Sequence, residues 1–114
     1  MIALYHNPRC SKSREALALL RERGIEPELV LYLETPPTAK QLKEVLKKLG
    51  LSARQLLRTG EEAYKTLNLG DAKLSETALI KAMVENPKLI ERPIAIKDSQ
   101  AVIGRPPENV LQLA

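Results

Sequence analysis

The chain has no tryptophan, no phenylalanine, a single cysteine and a single histidine in 114 residues. One cysteine excludes an internal disulfide framework. One cysteine and one histidine leave too few ligands for a Cys/His zinc cage. The only aromatics are Tyr5, Tyr32 and Tyr64, too few for the stacking platforms that hold single-stranded nucleic acid. No apolar run approaches the roughly 20 residues of a membrane-spanning helix. The opening Met1–His6 is too short for a secretory core and lacks a basic flank. These absences predict a soluble cytoplasmic protein with no membrane and no nucleic-acid partner. Charge agrees: 18 Lys and Arg against 14 Asp and Glu give +4, with the lysines interspersed among glutamates as on a solvated surface, not gathered in a basic block. The length fits one domain, residues 1–114.

What is present reads as an α/β pattern. Ile2–Tyr5 is a short apolar run ending at Asn7-Pro8, a buried strand followed by a turn. From Ser11 the spacing becomes helical, with Ala16, Leu17, Leu20 and the neighbouring Leu19 recurring at spacings of three and four and Gly24 as the stop. Leu29–Leu33 predicts a second strand, so the first 33 residues form a βαβ unit with a parallel pair and a right-handed crossover. After Thr35-Pro36-Pro37, Thr38 with Gln41 and Ser52 with Gln55 carry the capping-box signature. Leu42, Val45, Leu46 and Leu49 make an apolar stripe that Gly50 ends. Short helices are predicted over 61–67 and from Ser75 to Asn86-Pro87. The helical stretch, about 38–87, reads as an insertion between two parts of one sheet. Pro93–Lys97 and Ala101–Ile103 predict a hairpin turning at Asp98-Ser99, and a last helix covers Glu108–Leu113. The expected order is βαβ, helices, ββα, around a mixed four-stranded sheet.

Chemistry concentrates at Cys10, between the first strand and the first helix. A helix N-terminus presents unpaired N–H groups and partial positive charge, which favours thiolate over thiol and makes a nucleophile near neutral pH. His6, Arg9, Lys12 and Arg14 add positive potential nearby in sequence. The alternative is a buried structural cysteine, although such residues prefer apolar neighbours. Position 13 is Ser, so the C-x-x-C of a self-resolving dithiol is absent, and Arg14 is too near for the C-x5-R phosphate loop. A lone nucleophilic cysteine needs a thiol from elsewhere to complete a redox cycle. Arg58, Arg92 and Arg105 sit at element ends, where guanidinium forks can hold an oxyanion bidentately. Each alone is more often a surface or ion-pair residue; together, at element ends that the sheet could bring near Cys10, they point to an oxyanion pocket. His6 is a candidate to tune Cys10 or to donate to an oxyanion, or it is a satisfied structural histidine. Arg92-Pro93 is a candidate cis peptide.

Tyr5-His6-Asn7-Pro8-Arg9-Cys10-Ser11-Lys12-Ser13-Arg14 resembles the Y-H-N-P-x-C-x-x-S-R segment of the glutaredoxin-coupled arsenate reductase family, the ArsC type. Leu31–Pro37, Leu56-Leu57-Arg58, Glu91-Arg92-Pro93-Ile94 and Gly104-Arg105-Pro106-Pro107-Glu108 resemble further segments of it in order. The resemblance implies a thioredoxin-like fold with a helical insertion. It implies arsenate held beside Cys10 by Arg58, Arg92 and Arg105, with His6 assisting the cysteine. It further implies glutathione as co-substrate, glutaredoxin as partner, no tightly bound cofactor and a monomer. Two other functions compete: a thiol oxidoreductase of the same family with another substrate, and a protein-binding regulatory module.

Overall fold

The first strand, β1 (Ala3–Tyr5), is short because His6 and the turn-forming Asn7-Pro8 follow at once. Helix α1 (Ser11–Glu22) begins after that turn and buries Ala16, Leu17 and Leu20, as the sequence predicts, and Ser13 on the same i, i+3, i+4, i+7 face. Gly24, at φ 75°, ends it in the left-handed region that glycine adopts without strain. β2 (Glu28–Val30) then pairs with β1 in parallel, Ala3 opposite Glu28 and Tyr5 opposite Val30. The coordinates are a computed structural model that describes all residues, Met1–Ala114.

The chain divides into two compact units, Met1–Thr35 with Arg92–Ala114, and Pro36–Glu91. In the first, β3 (Ile94–Lys97) runs antiparallel to β1, and β4 (Gln100–Ile103) closes a hairpin on β3. Asp98, at φ 55°, makes its tight turn. The sheet is mixed and four-stranded, in the order β2-β1-β3-β4. Ile2, Leu4, Leu17, Leu20, Ala95 and Val110 lie in one buried cluster, and each large side chain so buried contributes roughly 1.5–3 kcal/mol. Tyr5 and Tyr32 stack with centroids 6.0 Å apart, which anchors the turn after β2.

In the second unit, α2 (Ala39–Leu49) carries the predicted capping box at both atoms, Gln41 N–H donating to Thr38 and Thr38 N–H to the Gln41 side chain. Gly50, at φ 70°, closes it. A second capping box opens α3 (Ala53–Leu56) at Ser52 and Gln55. α4 (Glu62–Thr66) follows, and Ser75 caps α5 (Glu76–Glu85) by accepting from Ala78 N–H. α5 packs on α2 and α3. No helix is long and apolar enough to cross a membrane.

Two expectations need correction. The second strand stops at Val30, not Leu33, because Tyr32 N–H donates to Val30 O and the N–H groups of Glu34 and Thr35 both donate to Leu31 O, turning the chain away from the sheet. The C-terminal segment Pro107–Leu113 is a 3₁₀ helix, not an α-helix. It still buries Pro107, Val110 and Leu113; their i, i+3, i+6 spacing suits three residues per turn.

Candidate active site

The turn between β1 and α1 is built by its own side chains. Cys10 N–H donates to Asn7 O and Arg9 N–H to Asn7 Oδ1, each at 3.0 Å. Arg14 N–H closes the first helical turn on Cys10 O, and Arg14 Nη1 donates to Pro8 O at 3.0 Å. Cys10 is thereby the N-cap of α1, in extended backbone conformation. It is a free thiol with 9% of its surface exposed.

Two cations meet this sulfur from the β3–β4 side of the sequence. Arg105 Nη2 lies 3.7 Å from Cys10 Sγ, while Arg105 Nε donates to Arg92 O at 2.9 Å. The Arg92 guanidinium is the second cation that acts on the sulfur, drawing its pKa downward. Both arginines precede cis peptide bonds, Arg92–Pro93 and Arg105–Pro106. Burial pushes the thiol pKa up, but the backbone N–H of Ser13, the Arg92 guanidinium and the Lys12 N–H together pull it below the ordinary value. The sulfur makes no capping hydrogen bond of full geometry, so the Ser13 and Lys12 contribution is the field of unpaired N–H groups at the helix start. Cys10 thus stands at the helix start with Arg105 at its sulfur and its thiol pKa drawn down from the ordinary value.

Of the roles the sequence leaves open for His6, the contact seen in the structure is to Ser13. The ring is buried, 4% exposed, and its Nδ1 lies 2.6 Å from Ser13 Oγ. Asn7 N–H donates to the same oxygen at 3.0 Å. The Ser13 hydroxyl thus ties the His6 ring to the Asn7 backbone. Burial, and then Arg21 and Arg14, hold the His6 pKa below its usual value, which favours the neutral ring. Ser13 is wholly buried and is the residue the sequence reading undervalued. Its signal was a hydroxyl on the apolar face of α1.

Arg58 belongs to the second unit. The bridge between Leu57 and Ile90, with Arg58 N–H on Leu89 O at 2.8 Å and Glu91 N–H on Leu56 O at 3.0 Å, sets its backbone. Its Nη1 donates to Glu91 Oε1 at 2.7 Å, and its Nε lies 3.8 Å from Glu61 Oε2. No group of three or more metal-ligating side chains is assembled anywhere in the chain.

A mixed sheet with a parallel β1–β2 pair, a β3–β4 hairpin and an acidified cysteine opening the crossover helix defines a thioredoxin-like protein. Comparison with known proteins narrows this. The ArsC family model matches residues 5–113. An uncharacterised protein of Escherichia coli strain K12, YfgD, is 62% identical over 113 residues, covering 98% of this chain and 95% of that protein. An arsenate reductase of Neisseria meningitidis serogroup B is 50% identical over 110 residues, covering 96% of this chain and 94% of that one. The solved arsenate reductase of Vibrio cholerae is 54% identical with a TM-score of 0.97, covering 99% of this chain and 97% of that one. The chain belongs to the ArsC family.

Proposed function

We propose that the protein reduces arsenate to arsenite with Cys10 as nucleophile and with glutathione and glutaredoxin as the sources of reducing equivalents. One observation carries the reading: an acidified thiol at a helix start with Arg92 and Arg105 at its sulfur, in a chain half identical to proteins named arsenate reductase. The thiolate attacks arsenic(V), and an arsenate oxygen leaves as water after protonation. The guanidiniums hold the remaining oxygens, whose charge they offset in a site of restricted solvent access. Glutathione sulfur then attacks Cys10 sulfur. The S–As bond breaks with its electron pair left on arsenic, arsenite departs as arsenic(III), and a Cys10–glutathione disulfide remains. Glutaredoxin thiolate takes the glutathione by disulfide exchange and restores Cys10.

The absence of a second cysteine fits this scheme, since both electrons come from external thiols. His6 acts through Ser13 on the conformation of the Cys10 turn. Arg58 is assigned as a third oxyanion ligand by its family resemblance alone. The enzyme needs no tightly bound cofactor and works as a cytoplasmic monomer.

The test is arsenate-dependent NADPH oxidation coupled through glutathione reductase, glutathione and glutaredoxin. Turnover is expected in the wild type and is lost in Cys10→Ser with the fold intact. Arg58→Gln is expected to raise the arsenate KM. Full activity in Cys10→Ser would overturn the mechanism. A wild type without turnover but with a readily alkylated Cys10 would move the thiol chemistry to another substrate.

A further inference from the structure

The turn before Cys10 and the turn after β2 together line a groove of about 290 Å³. His6, Pro8 and Arg9 come from the first, and Leu31, Leu33 and Glu34 from the second. The lining is mainly apolar, with one charge of each sign. The Arg9 and Glu34 side chains are exposed, make no ion pair with each other and have no hydrogen-bond partner in the chain. Two exposed charges of opposite sign at the edge of a concave apolar surface, neither spent on a partner in the chain, suit a ligand that carries the opposite pair. A neighbouring hollow of about 600 Å³ contrasts with this one. Its guanidiniums are engaged, Arg14 on Pro8 O and Arg21 on Glu26, each at 3.0 Å.

We propose that the groove is the glutathione site, with Arg9 taking the α-carboxylate and Glu34 the α-ammonium of the γ-glutamyl end. That end bears both charges on one carbon, matching one arginine and one glutamate. Seven bonds separate the glutamyl α-carbon from the thiol, roughly 8–9 Å extended, and Arg9 lies one peptide unit, about 3.8 Å between α-carbons, from Cys10. The proposal rests on glutathione being the co-substrate and does not depend on arsenate being the oxyanion.

A reaction without arsenate tests it. Cys10 thiolate attacks glutathione disulfide; one S–S bond breaks, a Cys10–glutathione disulfide forms, and glutathione thiolate leaves with the electron pair. The rate is read by mass spectrometry of the whole protein and divided by the rate with bis(2-hydroxyethyl) disulfide, which is neutral and has no γ-glutamyl group. Glu34→Gln is the deciding variant. Glutathione disulfide is an anion, so loss of a nearby negative charge speeds its reaction if only the general field matters. A specific ammonium contact predicts the reverse, a rate ratio lower by roughly three- to tenfold. Arg9→Gln is expected to lower it similarly. A ratio unchanged or raised in Glu34→Gln overturns the proposal, as does a wild type with no preference for glutathione disulfide. The two readings fail separately. Arsenate turnover with an unaltered glutathione KM in both variants removes the groove and keeps the reductase. Normal selectivity for glutathione disulfide without arsenate turnover removes the oxyanion and keeps the groove.

Discussion

Gly104 is where packing and the cysteine site meet. A Cβ at this position falls 2.7 Å from Pro93 Cγ and 3.1 Å from Val110 Cγ1, against about 3.5–4.0 Å for comfortable carbon contacts. Val110 is wholly buried and Pro93 lies among the fully buried side chains, and a proline ring has no alternative rotamer into which to swing. The backbone of Gly104 is not in the left-handed region, so the cost of Gly104→Ala is steric. Overpacking of this kind costs about 1–3 kcal/mol. Reduced freedom of the unfolded chain returns about 0.4–1 kcal/mol, which leaves a net loss of about 1.3 kcal/mol at the midpoints of the two ranges. An unfolding entropy of about 2.1 cal/mol/K per residue gives about 0.24 kcal/mol/K for this chain, so Tm is expected to fall by about 5 °C. Gly60→Ala is the matched control, because its Cβ meets nothing within 4 Å and its φ is unexceptional. Thermal unfolding followed by far-ultraviolet circular dichroism compares the two. Equal Tm values for both variants would refute the packing argument. A second effect reaches the site. Gly104 N–H donates to Pro93 O at 2.9 Å, Pro93 follows Arg92 and Gly104 precedes Arg105. Repacking here shifts both guanidiniums, so the Cys10 alkylation midpoint is expected to rise.

Three further outcomes are expected. The pH dependence of Cys10 alkylation by iodoacetamide should show a midpoint below that of an ordinary cysteine, and Arg92→Gln should move it upward; a wild-type midpoint at the ordinary value would contradict the site electrostatics. Ser13→Ala leaves His6 Nδ1 and Asn7 N–H without their shared hydroxyl and should cost about 1–3 kcal/mol in urea denaturation; a loss below about 0.5 kcal/mol would mean that water replaces the hydroxyl. His6 has a folded pKa below its unfolded value, so the unfolded chain binds a proton first as pH falls. Its contribution to stability is intact above the unfolded pKa of about 6.5 and declines as pH drops from there toward the folded pKa. The urea midpoint of the wild type should therefore fall between pH 7.5 and 5.5 by more than that of His6→Asn, and equal falls would refute the assignment.

Features set by residues three or four apart were legible in the chain itself. The boxes at Thr38–Gln41 and Ser52–Gln55 appear with both reciprocal bonds, because a capping box is closed by local geometry and needs no tertiary partner. Strand ends were less legible. Leu31 and Leu33 continue the apolar run of β2, yet β1 offers only Ala3–Tyr5 for pairing, and a strand without a partner turns. The same turn carries Leu31, Leu33 and Glu34 to the groove beside Arg9, so the error in reading the strand hid the groove as well. At the site, Cys10 was legible because a helix N-terminus acts on its own cap. Arg92 and Arg105 were candidates by type, by their place at element ends and by resemblance, but their nearness to Cys10 was not legible, since they lie more than 80 residues away in sequence and the β1–β3 pairing brings their unit together.

Ser13 joins the two halves of the chemical argument. It occupies the position at which a dithiol enzyme carries its second cysteine, and its buried hydroxyl is bonded instead to His6 and Asn7. A serine there cannot resolve a disulfide on Cys10. It fixes the turn at the Cys10 sulfur, beside Arg105. In the proposed mechanism the resolving thiol arrives from solution on a charged peptide and needs recognition close to Cys10 and apart from the arginines assigned to the oxyanion. Arg9 and Glu34, charged, exposed and unpaired beside the same turn, suit that role.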